Sequence, residues 1–190
     1  MNLMKKRTPE LHSASIRTTH AISIVIATLW LTGCGSVTVH HVPKVAAISP
    51  KKMSDLHGTP PVDIKAGQSG TEETTIGSVG MGKVVGKMSD WNAIAVEAAR
   101  ANLSARGVTI TADAPKALTI TMTKAEVKGI PFVGGAKSRI ALTATSPDGL
   151  NQTVEASNGS LAPLGAISGA IEDAVKKLVT DPTVEAYLRK

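Results

Sequence analysis

The stretch that decides the fold class is residues 117–127, which read Ala-Leu-Thr-Ile-Thr-Met-Thr-Lys-Ala-Glu-Val. Apolar residues alternate with threonines, so Leu118, Ile120 and Met122 share one face of an extended chain. One apolar and one polar face are typical of a strand in an antiparallel sheet that has one buried and one wet side. This stretch therefore predicts a central strand of such a sheet.

The segments around it continue this pattern. Residues 139–145 and 150–156 alternate in the same way. Residues 146–149, Ser-Pro-Asp-Gly, predict a turn between them, because proline presets one backbone dihedral angle and glycine accepts a positive φ. A shorter alternating segment, 62–66, and a glycine-rich segment, 74–87, supply further strands. We therefore expect a mainly antiparallel sheet of about five strands.

Two main helices are predicted on either side of these strands. The first helix, 91–106, stops before Gly107. Its predicted apolar face consists of Trp91, Ile94, Ala98, Ala101 and Ala105 and is widened by Ala95. The second helix, 163–180, carries an apolar stripe of Ile167, Ile171, Val175 and Leu178. Asp181 and Pro182 are a typical start for a last short helix. The pattern predicts one α+β domain, residues 62–190, with both main helices on one face of the sheet.

The first 33 residues have the regions of a secretory signal peptide, starting at Met1 or Met4. A basic segment is followed by the apolar run 21–31, which is shorter than the about 20 residues of a membrane span. The run ends in Leu-Thr-Gly-Cys, whose last residue, Cys34, is the only cysteine of the chain. This ending is similar to the lipobox of bacterial lipoproteins, whose cysteine is acylated after cleavage. An ordinary cleavage site beside an incidental cysteine is the alternative.

The lipobox interpretation gives the chain an address. We predict residues 1–33 to be a signal peptide and Cys34 to be lipidated, because two or more acyl chains anchor a protein stably. Gly35 and Ser36 follow, rather than the aspartate associated with retention in the inner membrane, which indicates the outer membrane and a domain facing the periplasm. Residues 34–61 are rich in proline and polar residues and are predicted to be a flexible tether. Within it, residues 45–48 are a candidate strand against the domain.

The composition argues against several functional classes. The formal net charge is +6, of which residues 1–33 supply four Lys or Arg and one Glu, so the mature part has 17 − 14 = +3. That excess is too small for a nucleic-acid footprint. No histidine follows His57, so the domain has no imidazole for catalysis or metal binding. We expect no catalytic residue, no metal and no cofactor. Residues 77–83 have the spacing of a phosphate loop, but Val84 stands where Ser or Thr is required.

One loop is a candidate binding site. It joins two amphipathic strands, and its tip contains Ile130, Phe132 and Val133 between glycines. Its basic neighbours are Lys128, Lys137 and Arg139. One interpretation is that the apolar residues fold back and cover the core. The other is a docking patch for a partner or a lipid surface.

The order of these elements resembles that of the YajG-type small outer-membrane lipoproteins. The similar pieces, besides the lipobox, are residues 103–108, 118–126, 140–151 and 171–188. They are signatures of the fold and not of an active site. The resemblance implies an address in the envelope and a fold of helices and strands, and it implies little chemistry.

Three functions compete on this evidence. The first is a lipid-anchored envelope lipoprotein with a non-enzymatic binding or assembly role, attached to the membrane through Cys34 and able to bind an envelope protein. The alternative is an accessory lipoprotein of lipid or lipopolysaccharide transport that binds acyl ligands. The third, a hydrolase of envelope polymers, lacks a histidine in the domain. An apolar pocket between helices and sheet favours the second function, and a filled core with an exposed apolar loop or edge favours the first.

Overall fold

The computed structural model describes residues 38–44, 53–67, 69–130 and 135–190. In these ranges the chain has an α+β fold of three helices and one seven-stranded mixed sheet. The strands are β1 Thr38–His40, β2 Val62–Ala66, β3 Glu73–Val79, β4 Gly82–Lys87, β5 Lys116–Gly129, β6 Ala136–Thr145 and β7 Asn151–Ser160. The helices are α1 Met88–Ala105, α2 Pro163–Val179 and α3 Pro182–Arg189.

The strands follow the order β1-β4-β3-β5-β6-β7, and β2 pairs with the first part of β5. β3 with β4, β5 with β6 and β6 with β7 are antiparallel, whereas β1 with β4, β2 with β5 and β3 with β5 are parallel. The prediction of a mainly antiparallel sheet of about five strands was therefore wrong. In the chain, helix α1 follows β2, β3 and β4 and precedes β5. A crossover through a helix allows β2 and β3 to pair in parallel with β5. Alternation reports the face of a side chain, not the direction of its strand.

Both main helices lie on one face of the sheet, as predicted. Helix α1 packs on β2, β4 and β5, helix α2 packs on β6 and β7, and the two helices contact each other. The stripe predicted for α2 is buried. The face predicted for α1 was right only for Trp91 and Ala95, because α1 buries Trp91, Asn92, Ala95, Val96, Ala99, Asn102 and Leu103, whereas Ala101 and Ala105 are exposed. Two polar residues, Asn92 and Asn102, lie on the buried face, so the pattern of apolar residues in the sequence does not identify that face.

Asn92 is buried because it completes the edge of β5. β2 pairs with residues 116–120 of that edge and β3 with residues 127–128, which leaves a gap between them. The Asn92 side chain lies in this gap. Its oxygen accepts the Met122 backbone N–H at 2.8 Å, and its nitrogen donates to the Ile120 carbonyl at 3.2 Å and the Gly67 carbonyl at 3.1 Å. A side chain thus supplies the hydrogen bonds that a neighbouring strand supplies elsewhere.

A β-bulge keeps the charged half of β5 in water. The register with β6 shifts by one residue between Met122 and Lys124. Before the shift, the even-numbered residues of β5 face the helices, and after it Ala125 and Val127 do so. Lys124 and Lys128 consequently lie on the helix-free face. Without the extra residue, these lysines would point into the core.

Part of the segment predicted as a tether packs on the domain. β1 lies within it, and Leu56 is fully buried in the core. The indole N–H of Trp91 donates to the His41 carbonyl at 3.0 Å, and the indole lies over Gly86, where a Cβ atom would approach its nitrogen to 3.0 Å. The chain is therefore part of the folded domain well before Val62. Residues 1–33 and the candidate strand 45–48 lie outside the described residues.

No helix within the described ranges is long and apolar enough to cross a bilayer.

Candidate functional site

The described residues expose five large apolar side chains, and four of them lie at one end of the sheet. Leu161 is 74% exposed and Leu164 38%, between β7 and the first turn of α2. Met81 is 77% exposed in the turn from β3 to β4, and Ile130 is 39% exposed after β5. We call Met81, Ile130, Leu161 and Leu164 the apolar rim. Single exposed apolar residues are common, but a concentration at one end marks an interaction site.

Close backbone contacts place the segments of the apolar rim side by side. The Ile130 N–H donates to the Gly135 carbonyl at 2.8 Å. A Cβ atom on Gly135 would lie 2.6 Å from the Ser160 carbonyl oxygen, and one on Gly129 would lie 3.2 Å from the Val79 Cα. At Gly135 the neighbouring backbone leaves no space for a side chain, and at Gly129 a side chain would require the neighbouring backbone to shift by a few tenths of an ångström. The described residues of these three connections therefore lie next to one another at one edge of the sheet.

Three lysines lie directly behind the apolar rim on the helix-free face. One register row crosses six strands, and its members in sheet order are Thr38, Lys83, Ser78, Lys128, Lys137 and Gly159. All six are exposed. We call Lys83, Lys128 and Lys137 the lysine row. Within the described part of the chain, none of the three forms an ion pair.

Two members of the lysine row face each other. Lys128 and Lys137 are cross-strand partners in the antiparallel pair of β5 and β6. Opposed residues of this kind have Cβ atoms about 4.5–5.5 Å apart, and like charges in that position destabilise a sheet. Together with Glu126 and Arg139 they line a shallow notch of about 60 Å³.

On β5 and β6, the basic side chains that lie farther from the apolar rim are neutralised by ion pairs. The Nε of Arg139 lies 2.9 Å from an oxygen of Glu155, and the Nζ of Lys124 lies 3.4 Å from an oxygen of Glu126. Beyond these pairs the helix-free face is formed by threonines, two of which, Thr143 and Thr153, share a hydrogen bond of 2.8 Å. The three lysines of the row, which form no ion pair among the described residues, therefore lie at the same end as the exposed apolar side chains.

The loop predicted from the sequence coincides with part of this surface. Ile130 belongs to the apolar rim, whereas Phe132 and Val133 lie outside the described residues. The basic neighbours predicted for the loop are on the helix-free face. Sequence reasoning missed three residues of the apolar rim. The available signal was an apolar residue inside a connection, in Gly80-Met81-Gly82 and in Leu161-Ala162-Pro163-Leu164.

The interior between helices and sheet is filled with side chains. Ile120, Ile140, Leu142, Ile167 and Ile171 are all fully buried in one cluster. Three clefts lined by described residues open to the surface. The largest of those described, about 330 Å³ between β7 and α2, has a polar lining that includes Asp173, Lys176 and Lys177.

A buried ion pair lies at the other end of the domain. The guanidinium of Arg106 pairs with Glu185 of α3 and donates to the carbonyl of Val179 and, at 2.8 Å, to that of Ser54. The hydroxyl of Ser54 also donates to Glu185 at 2.6 Å. Burial raises the pKa of Glu185. The hydrogen bonds from Ser54 and Arg106 and the nearby positive charges lower the pKa by more than burial raises it, so the net pKa is lowered. This cluster joins four segments and is structural.

The second shifted carboxylate is also structural. The Nζ of Lys65 lies 3.0 Å from Asp63, and this hydrogen bond, with one from the Asp113 N–H, lowers the pKa of Asp63. Asp113 has a φ of 57°, and the bond from its N–H holds that left-handed turn. No group of three metal-ligating side chains occurs in the ranges that the structure covers.

Cys34 lies outside the described residues. The nearest described residue along the chain is Thr38, at the start of β1. Thr38 is paired with Lys83, one residue from the start of β4. The chain therefore enters the sheet at the end that carries the apolar rim.

Comparison with known proteins shows the fold alone. No protein-family model matches the sequence, and no curated protein matches it. Among solved structures, the DUF330 protein XCC0632 from Xanthomonas campestris is 11% identical, with a TM-score of 0.53 over 78% of this chain and 97% of that one. A minor lipoprotein from Acinetobacter baumannii is 10% identical, with a TM-score of 0.41 over 69% of this chain and 94% of that one. Neither is described as YajG-type, so that resemblance stays a prediction.

Proposed function

We propose that this chain is a lipid-anchored protein of the bacterial cell envelope with a non-enzymatic binding role, and that the apolar rim is its binding surface. The anchor is Cys34, and the supporting observation is the ending Leu31-Thr32-Gly33-Cys34 after a basic and apolar leader. The outer membrane is the proposed location, because Gly35 and Ser36 follow the anchor. The domain faces the periplasm.

The concentration of exposed apolar side chains at one end of the sheet carries this proposal. Met81 and Leu161 are each about three-quarters exposed, and burying such side chains contributes about 25 cal/mol per Å² of apolar surface. A domain that fills its core and still exposes large apolar residues side by side gains free energy when something covers them. Binding is therefore the activity that this geometry supports best.

A non-enzymatic role is favoured by where the shifted acidic groups lie. Glu185 is held in an ion pair that joins segments of the fold, Asp63 is held by Lys65 of its own strand and by the Asp113 N–H, and neither carboxylate contributes to the apolar rim. The alternative function, an accessory of lipid or lipopolysaccharide transport, needs an apolar cavity for acyl chains. The filled helix–sheet interior favours the binding role over that alternative.

The anchor is tested by fatty-acid labelling in living cells. The Cys34→Ala variant should stay uncleaved or mislocalised and should incorporate no labelled fatty acid, while the unchanged chain is labelled. Because the sequence has one cysteine, no second thiol complicates the result. Normal labelling of the variant would contradict the anchor.

The binding surface is tested by photo-crosslinking from single positions. A photoreactive amino acid at Leu161 should give crosslinked products in cells. The matched control is Asp148, which is also exposed but lies in the turn between β6 and β7 at the other end of the sheet. Equal crosslinking from both positions would contradict the assignment of the surface to the apolar rim.

A further inference from the structure

We infer that the apolar rim and the lysine row dock on the anionic surface of the membrane that holds the anchor, so that the domain stands with this end of its sheet against the bilayer. The inference rests on the proposed function and names what the binding surface binds. The ligand chemistry is that of phospholipid headgroups carrying a net negative charge, with the acyl region just beneath them.

Chain length supports this orientation. Thr38 begins β1 next to Lys83 of the lysine row, and Cys34 precedes Thr38 by four residues. A fully extended chain covers at most about 3.3–3.6 Å per residue, so the anchor lies no more than roughly 14 Å along the chain from this edge of the sheet. A lipid on Cys34 therefore keeps the end with the apolar rim close to the headgroups, and keeps the opposite end, with Asp148, away from them.

Charge complementarity supports an anionic surface. The three lysines of the row are exposed, and Lys128 and Lys137 repel each other across paired strands. An anionic membrane attracts each nearby basic side chain with a contribution that corresponds to about a fivefold change in partition. Phosphate groups also relieve the repulsion of the opposed pair. The ion pairs farther from the rim, such as Arg139 with Glu155, leave the attraction concentrated at this end.

The apolar side chains complete the match. Membrane-surface segments combine basic residues at the headgroup level with large apolar residues that reach the acyl boundary. Met81 and Leu161, at 77% and 74% exposure, extend from turns beyond the last paired residues of the strands. The lysines lie one step behind them on the sheet. This order, apolar at the tip and basic behind it, is the order of layers that a bilayer surface presents.

The experiment measures which end of the anchored protein contacts lipid. The full lipidated protein is reconstituted into phosphatidylcholine vesicles with or without phosphatidylglycerol, and flotation with the vesicles reports the anchor. Because the chain has one cysteine, Cys34, which is acylated, an introduced cysteine provides a single site for a fluorophore. Labels at Leu161→Cys and Met81→Cys should be quenched by a headgroup-level lipid quencher in anionic vesicles. A label at Asp148→Cys should not be quenched.

Charge reversal separates docking from anchoring. The triple variant Lys83→Glu, Lys128→Glu, Lys137→Glu should still float with the vesicles but lose the quenching at Leu161→Cys. Each lysine removed should lower the equilibrium constant for docking about fivefold, so removing all three should lower it by roughly 100-fold. The three introduced negative charges should lower this constant further. The control carries Lys87→Glu, Lys176→Glu and Lys190→Glu, which are equally exposed positions away from the row, and it should keep the quenching.

Each outcome decides between the two proposals. Flotation with equal quenching at both ends, or with none, overturns the membrane docking and leaves the anchor intact. If the control variant also loses the quenching, the role of the lysine row in docking is overturned. Absence of quenching together with a protein crosslink from Leu161 in cells assigns the rim to an envelope protein instead. Failure to float with either vesicle type contradicts both the anchor and the docking.

Discussion

The side-chain oxygen of Asn92 accepts the backbone N–H of Met122 at 2.8 Å, across a gap in the sheet that no strand fills. Helix α1 is thereby fixed to β5 by a polar bond inside an apolar interface. Asn102 is buried on the same helix, but its amide oxygen has no hydrogen-bond partner among the described residues. The amide oxygen is therefore satisfied in one buried asparagine of this helix and not in the other, although the Asn102 nitrogen donates to the Ala98 carbonyl at 3.2 Å.

The first prediction compares these two asparagines. Asn92→Ala should lower the free energy of unfolding by about 1–3 kcal/mol, because it leaves the buried Met122 N–H unpaired. Asn102→Ala should cost much less or stabilise, because it removes a buried acceptor that lacks a donor. Chemical denaturation of both variants checks this. Equal losses would mean that packing, and not the hydrogen bond, determines the cost.

The second prediction concerns Trp91. Trp91→Ala should cost about 3–5 kcal/mol, because the indole is fully buried against Gly86 and its N–H holds the His41 carbonyl. Loss of that bond should also raise amide hydrogen exchange in residues 38–44. Trp91→Phe is the control, since it keeps a buried ring and removes the N–H. Unchanged thermal unfolding of Trp91→Ala would contradict the burial.

The third prediction is a pH dependence at Glu185. Its pKa is lower in the folded chain than its ordinary value of 4.5, so the ionised carboxylate stabilises the fold. That stabilisation is complete above the ordinary value and is lost as the pH falls through the lower folded value. At neutral pH, Glu185→Gln should cost up to about 3–5 kcal/mol, because the buried guanidinium of Arg106 loses its partner. In strong acid, the variant and the unchanged chain should converge.

An exposed ion pair serves as the control for Glu185. Glu97 pairs with Arg100 at 2.5 Å, but its side chain is 69% exposed. Glu97→Gln should therefore change stability by at most about 1 kcal/mol. Denaturant midpoints measured at neutral and acid pH compare the two variants. A larger effect at Glu97 than at Glu185 would contradict the structural role of the Arg106 cluster.

The fourth prediction is that one substitution changes stability and membrane docking in opposite directions. Lys128→Glu replaces the repulsion with Lys137 by attraction, and it should raise the free energy of unfolding by about 0.2–1 kcal/mol. The same variant should contact anionic vesicles less. Lys137→Ala tests the repulsion differently, because it removes one charge without creating an attraction. A Lys128→Glu variant that is less stable than the unchanged chain would show that the opposed lysines do not repel.

Much of the architecture was predicted from the sequence because it follows from periodicity. The alternation of residues 117–127 places apolar side chains on one face of the sheet, and the stripe of α2 does the same for the helix. Residues 146–149 form the turn between β6 and β7. Strand direction was not accessible in this way, because a parallel and an antiparallel neighbour bury the same alternate residues. The strand Thr38–His40 was not predicted for another reason, because three residues are too few to show an alternating pattern.

The candidate site was predicted in part for a similar reason. Ile130 was recognised because its loop contains three apolar residues and basic neighbours. Met81 and Leu161 stand alone in their own segments, and only the pairing of strands that are distant in sequence brings them to one edge. The lysine row is a cross-strand feature as well, with members at positions 83, 128 and 137. Local patterns do not contain the register that aligns them.

The parallel edge strand β1 divides the proline-rich segment 34–61 into parts with different mechanical roles. If Cys34 holds the lipid, the height of the domain above the bilayer depends on the three residues Gly35 to Val37, because β1 follows them directly. The number of residues from 45 to 52 does not enter that height, since the chain has already joined the sheet. Lengthening the first part would let the domain reach farther from its membrane, whereas lengthening the second would leave its standoff unchanged.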